Sequence, residues 1–267
     1  MTAALLQLNN VEVVYHRAIT AVQGVTISIQ PQQIVALLGT NGAGKSTTLR
    51  AISGFLGLDD ARVTEGTITF KGDRIENRAP HHNTARGIIL VPERDKVFPN
   101  LTVAENLIAP VSHGSDAAER KRREAMVYQF FPKLGELRNR VGGLLSGGER
   151  QMLALGSAIV CMPQVLLVDE LSLGLAPVMV EDLVGRLVQI RRELGLTILM
   201  VEQSAAVALA IADYGYVMEN GRVVLDGSAE RLRSHQDIQE FYLGQSGESR
   251  RSYRTVKQYR RSRRWYG

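Results

Sequence analysis

The sequence predicts an α/β fold: a mostly parallel sheet with flanking helices, an N-terminal antiparallel β subdomain and an inserted helical subdomain. Three observations predict it. Ile34-Val35-Ala36-Leu37-Leu38, Val165-Leu166-Leu167-Val168 and Thr197-Ile198-Leu199-Met200-Val201 are short continuous apolar runs, the pattern of strands buried on both faces. Val11-Glu12-Val13-Val14-Tyr15, Val25-Thr26-Ile27-Ser28-Ile29 and Gly66-Thr67-Ile68-Thr69-Phe70 alternate instead, as strands of a partly solvated antiparallel sheet do. Residues 93–162 change character and carry helical patterning.

The 267 residues are 45% hydrophobic and 22% charged, an ordinary globular composition that allows one large α/β domain or two small ones. The most membrane-like run, Met152 to Val168, is interrupted by Ser157 and Pro163-Gln164 and falls short of a spanning length. The N-terminus has no basic leader followed by a long apolar region, so no secretory signal is expected. Cys161 is the only cysteine, which excludes an intrachain disulfide and points to a reducing cytosol. The net charge of +5 is unevenly placed: eight arginines and lysines against Glu248 give residues 246–267 a charge of +7 and leave −2 for the rest. The basicity belongs to that tail, expected to be a disordered extension beyond a domain at 1–245, and not to a nucleic-acid-binding face. Tyr253, Tyr259, Trp265 and Tyr266 interleave with its arginines, a mixture that would also suit an anionic lipid surface.

Taken in order, the first strands end at Tyr15, which either stacks its ring on a base or merely finishes a strand. The apolar run at 34–38 leads into Gly39-Thr40-Asn41-Gly42-Ala43-Gly44-Lys45-Ser46-Thr47, the P-loop pattern G-x-x-x-x-G-K-S. Glycines let successive N–H groups turn toward a polyphosphate without a Cβ in the way. Lys45 would set a point charge on the terminal phosphates and the Ser46 hydroxyl would bind Mg²⁺. Ser46 to Ile52 continues without a breaker, which places the phosphates at a helix N-terminus. The core is therefore expected to be that of a P-loop NTPase, with ATP and Mg²⁺ as cofactors.

Within the helical insert, about 93–162, Thr102 and Glu105 have the spacing of a capping box, and a charged stretch from Ala117 to Phe131 reads as helix. Its cluster Arg120-Lys121-Arg122-Arg123 is read as a solvated face. Leu145-Ser146-Gly147-Gly148-Glu149-Arg150-Gln151 precedes a helix whose Met152, Leu155 and Ile159 form a buried stripe. Ser146-Gly147-Gly148 is either a second anion site at a helix N-terminus or a plain helix start.

The run at 165–168 ends in Asp169-Glu170, the Walker B arrangement, and ligands of parallel sheets gather beyond the strands' carboxyl ends. Asp169 would meet the Mg²⁺ held by Ser46, and Glu170 would polarise the attacking water. Val180, Leu183, Leu187 and Ile190 then space one apolar helix face. The last buried strand ends at Glu202-Gln203, with Gln203 a candidate sensor of the γ-phosphate. Tyr216 to Leu225 reads as a hairpin with an Asn220-Gly221 turn.

Gly39–Ser46, Leu145-Ser146-Gly147-Gly148-Glu149 and Asp169-Glu170, in this order, resemble the ATP-binding cassette (ABC) ATPases over about residues 5–244. Leu90-Val91-Pro92-Glu93, Leu101-Thr102-Val103-Ala104-Glu105-Asn106-Leu107, Ser172-Leu173-Gly174-Leu175-Ala176-Pro177, Val201-Glu202-Gln203 and Tyr242-Leu243-Gly244 look like the second ATPase subunit of branched-chain amino-acid uptake systems. The wider superfamily usually has Gln at the position of Glu93 and His at that of Gln203; Glu and Gln are similar to this subfamily's pattern, whereas a urea-uptake relative keeps Gln at the first. Leu171 stands where a Pro usually follows the catalytic Glu, and Ser157 where an Arg is common.

The resemblance implies an ATPase on the cytoplasmic face of the cell membrane, peripherally bound. Its partners would be a second ATPase subunit of paralogous type, transmembrane permeases and a solute-binding protein, with no nucleic acid. It implies that two cassettes pack head to tail, Ser146-Gly147-Gly148 of one facing the γ-phosphate on the P-loop of the other. Glu93 would stand near the metal and relay motion to the permeases. A second reading, a soluble ABC-type clamp on ribosome or nucleic acid, draws on the basic tail.

Overall fold

The computed structural model describes residues 4–94, 96–111 and 116–241. The motif Tyr242-Leu243-Gly244 and the basic tail lie outside the described residues.

Two sheets make up the strand content. The first is antiparallel: β1 (Leu6–Tyr15) pairs with β2 (Ile19–Ile29) on one side and with β4 (Ala61–Phe70) on the other. Between β2 and β4 the chain builds β3 (Ile34–Gly39) and α1 (Lys45–Ser53). The short β5 (Asp73–Arg74) completes the sheet order β2-β1-β4-β5. Alternating apolar residues put Leu6, Leu8, Val11 and Val13 inside and leave their neighbours wetter, as the period of a half-buried strand requires.

Next come α2 (Pro80–Ala85) and β6 (Ile88–Val91), then a run of helices: α3 (Val103–Ile108), α4 (Ala117–Phe130), α5 (Pro132–Glu136) and α6 (Gly147–Ile159). Thr102 caps α3 by accepting the Glu105 N–H while Glu105 accepts the Thr102 N–H, the reciprocal box its spacing predicts. In α4, Glu119 pairs with both Arg122 and Arg123, so the basic cluster is partly neutralised along its own helix. The chain then alternates: β7 (Val165–Asp169), α7 (Pro177–Leu194), β8 (Thr197–Glu202), α8 (Ala205–Ile211), β9 (Tyr214–Glu219), β10 (Arg222–Ser228), α9 (Ala229–Ser234) and α10 (Gln236–Phe241).

The larger sheet has the order β10-β9-β3-β8-β7-β6. It is parallel from β9 to β6, and β10 turns back antiparallel at the edge. Asn220 and Gly221, at φ 48° and 77°, form the β9–β10 turn with both residues left-handed, which explains the Asn-Gly pair.

This sheet divides two cores. Val165 stands opposite Thr197 and Ile34 opposite Ile198, so β3, β7 and β8 share one parity. Even-numbered Ile34, Ala36, Leu38, Leu166, Val168, Ile198 and Met200 face a core shared with α6 and α7. Odd-numbered Val35, Leu37, Val165, Leu167, Leu199 and Val201 face a core shared with α1 and the antiparallel sheet. Each fully buried aliphatic chain here contributes about 1.5–3 kcal/mol, which fixes the register of the strands that end at the site.

Candidate active site

The carboxyl ends of β3, β7 and β8 converge, and the residues after them build the site. After β3 the chain turns through Gly39–Gly44 into α1. Gly44 is the N-cap of α1 at φ 99°, and no side chain caps the helix. A Cβ at Gly44 would lie 2.8 Å from the Ala21 carbonyl oxygen, so both conformation and space demand glycine. The first-turn N–H groups of α1 are left for an anion.

Lys45 is almost fully buried. Its Nζ donates to the carbonyls of Gly39 at 2.8 Å and Thr40 at 3.3 Å and lies 3.5 Å from Glu170 Oε1. Ser46 Oγ donates to Asp169 Oδ1 at 3.0 Å. Asn41 and Gly42 are exposed at the crest of the loop, and Ala43 is buried beneath it. Thr47 bonds through its hydroxyl to the Tyr15 hydroxyl at 3.2 Å. Tyr15 is thus both the last residue of β1 and a neighbour of the P-loop.

Burial pushes the Asp169 carboxyl above its usual range, and Glu170 and Glu93 push it the same way; the Ser46 hydrogen bond and Lys45 oppose them. A carboxylate held in such surroundings beside a hydroxyl favours a cation, because a bound cation reverses the local balance of charge. One hydroxyl and one carboxylate suit a hydrated divalent ion that takes its other ligands from water and phosphate. No cluster of three or more His, Cys, Asp or Glu suited to a metal exists among the described residues.

Glu170 is buried and left-handed at φ 52°. For a residue with a Cβ this costs about 1–3 kcal/mol and persists only when surroundings enforce it. The Glu170 N–H donates to the Val201 carbonyl at 3.0 Å, and its Oε2 accepts the Gln203 N–H at 3.2 Å. Gln203 therefore joins the site through its backbone, with an exposed side chain. Glu93, half-buried, pairs with Arg94 at 3.2 Å and reaches Asp169 through its field.

Ser146 N-caps α6: it accepts the Glu149 N–H at 3.3 Å, and its own N–H donates to Glu149 Oε2 at 2.8 Å. The Ser-x-x-Glu spacing is that of a capping box. Gly148 packs so closely on α7 that a Cβ would fall 2.5 Å from Met179 Cε.

Two more residues enter the surroundings of the site. Lys96 donates to Gln151 of α6, and burial lowers its ammonium's affinity for a proton while Glu93 and Asp169 raise it. Glu202 is fully buried at the end of β8. In the sequence it showed as the middle residue of Val201-Glu202-Gln203, a carboxylate closing an apolar strand, without a role of its own.

A P-loop, a Walker B carboxylate pair and a Ser-Gly-Gly helix start on one parallel sheet define a nucleotide-hydrolysing cassette. The ABC transporter family pattern matches residues 22–172, and the chain belongs to that family of ATPases. It is 37% identical to the high-affinity branched-chain amino acid transport ATP-binding protein BraG of Pseudomonas aeruginosa, over 86% of this chain and 96% of that protein. It is 39% identical to the probable branched-chain amino acid transport ATP-binding protein LivF of Archaeoglobus fulgidus, over 82% and 91%. A crystal structure of an ATP-binding cassette of an ABC transporter in its ADP conformation superposes with a TM-score of 0.78 at 28% identity, over 91% of this chain and all of that one.

Proposed function

We propose that this chain is the ATP-hydrolysing subunit of an ABC importer for branched-chain or related amino acids. The observation that carries the reading is the convergence of Lys45, Ser46, Asp169 and Glu170, drawn from two strand ends, around the capless N-terminus of α1. The likeness to BraG and LivF supports the solute class.

In this reading the P-loop residues Gly39 to Thr47 take the phosphates, with Lys45 leaving its carbonyl partners for phosphate oxygen, and Tyr15 lies beside the base. Ser46 and Asp169, with Glu93 nearby, hold Mg²⁺, which supplies charge neutralisation to the phosphates. Glu170 orients the attacking water, and Gln203 holds Glu170 in place. Ser146-Gly147-Gly148 serves the nucleotide of a second cassette. Leu144, Leu173 and Val178 support a partner there: they stand 66%, 56% and 76% exposed on the segments around Ser146 and α7.

No helix among the described residues is long and apolar enough to cross a membrane. Membrane attachment therefore comes in this reading through permease subunits, in a transporter completed by a solute-binding protein. A cleft of about 230 Å³ between β6 and α6, with Phe98 and Lys96 on its wall, supports a contact for the permease next to Glu93. The clamp reading drew on residues outside the described structure and gains nothing from the site.

The test is solute uptake in cells lacking this chain. Loss of leucine, isoleucine or valine uptake, restored by the wild-type chain and not by Lys45→Ala, is expected. Unchanged uptake of all these solutes would overturn the assignment.

A further inference from the structure

Glu202 takes no part in the constellation that faces the nucleotide, yet it is fully buried and its carboxylate is committed. Its Oε1 accepts the Ser172 N–H at 3.1 Å and its Oε2 accepts the Ser172 hydroxyl at 2.6 Å. Leu171 and Ser172 directly follow Glu170. In return, Glu170 accepts the N–H of Gln203, the residue after Glu202. The two strand ends exchange carboxylates: each glutamate grips the backbone that follows the other. Bonds in a dry site are directional, and losing the acceptor leaves buried donors unpaired.

We propose that Glu202 is a positioning residue for Glu170. By fixing Ser172 it holds Glu170 at φ 52° with its carboxylate toward Lys45. The proposal rests on the reading of Glu170 as the group that orients water. It also makes turnover answer to the segment after Ser172, whose Leu173 is exposed.

Glu202→Gln keeps the size of the side chain and sets an amide NH₂ among the same donors. In the purified full-length chain, kcat is expected to fall on the order of ten- to a hundredfold, the penalty of a misplaced catalytic group. KM and the affinity for a fluorescent ATP analogue should shift by less than about twofold, since the phosphate contacts are untouched. Ser172→Ala, at a half-buried position, should lose part of the same kcat. The double variant should be no slower than Glu202→Gln alone, because both changes break one contact. A Glu202→Gln enzyme with wild-type kcat overturns the proposal, as does additivity in the double variant or a matching loss of ATP affinity. A wild-type chain that binds ATP and hydrolyses none, alone or with its partner ATPase subunit, overturns instead the ATPase reading on which the proposal rests.

Discussion

Ser46 Oγ donates to Asp169 Oδ1 at 3.0 Å across 123 residues of chain, joining the P-loop helix to the end of β7. The contact puts a hydroxyl and a carboxylate where a divalent ion can replace the proton between them. Asp169→Asn is therefore expected to abolish metal-dependent hydrolysis while nucleotide still binds. ATPase assays over a Mg²⁺ titration check it, and chelation of Mg²⁺ should stop the wild-type enzyme in the same way.

Lys45→Ala should weaken ATP binding by at least about tenfold and remove hydrolysis, because the variant loses the only buried cation beside the loop among the described residues. Equilibrium binding of a fluorescent ATP analogue measures this. Full affinity in the variant would refute the assignment of Lys45.

Glu170→Gln removes the ion pair with Lys45 and the group proposed to orient water. The rate should fall by about 10²–10⁴, the usual contribution of a positioned base. ATP affinity should be kept or raised, since Lys45 is released from its carboxylate. Size-exclusion chromatography with ATP should then reveal a trapped dimer.

Burial raises the Glu202 carboxyl from its ordinary 4.5 to about 7, against the opposing hydrogen bonds from Ser172. Between these values the folded chain holds a proton that the unfolded chain has lost, so stability falls as pH rises through the window. The contribution is fully present below 4.5 and gone above about 7. Glu202→Gln lacks it and should gain stability relative to wild type between about pH 5 and about pH 8, read as the difference in urea midpoints.

Thr102→Ala removes one half of the α3 capping box. It should cost about 1 kcal/mol. The melting temperature should drop by roughly 2–4 °C, as differential scanning fluorimetry would record. Catalysis per folded molecule should be unchanged.

Local pattern carried most of the fold into view. The apolar runs ending at Leu38, Val168 and Val201 predicted β3, β7 and β8 because strands buried on both faces tolerate no polar interruption. The Lys45, Ser46, Asp169 and Glu170 convergence was legible from local pattern too: Asp169 closes β7 and Glu170 follows it, while the glycine-rich loop after β3 leads to Lys45 and Ser46. Contacts fixed by tertiary placement were not. Lys96 meets Gln151 over 55 residues and Glu202 meets Ser172 over 30, and neither pair has a spacing rule behind it. Tyr15 is intermediate: its strand was readable, while its hydroxyl's bond to Thr47 depended on where α1 starts.

The shared parity of β3, β7 and β8 turns the central sheet into a two-channel address. A methyl group removed from Leu166 or Met200 is reported to α6 and α7, on the side of Ser146-Gly147-Gly148. One removed from Leu167 or Leu199 is reported to α1 and the antiparallel sheet, on the side of the P-loop. Neighbouring positions in one strand thus speak to different halves of the molecule. Evolution can retune the response to a partner and the grip on nucleotide separately, one residue apart.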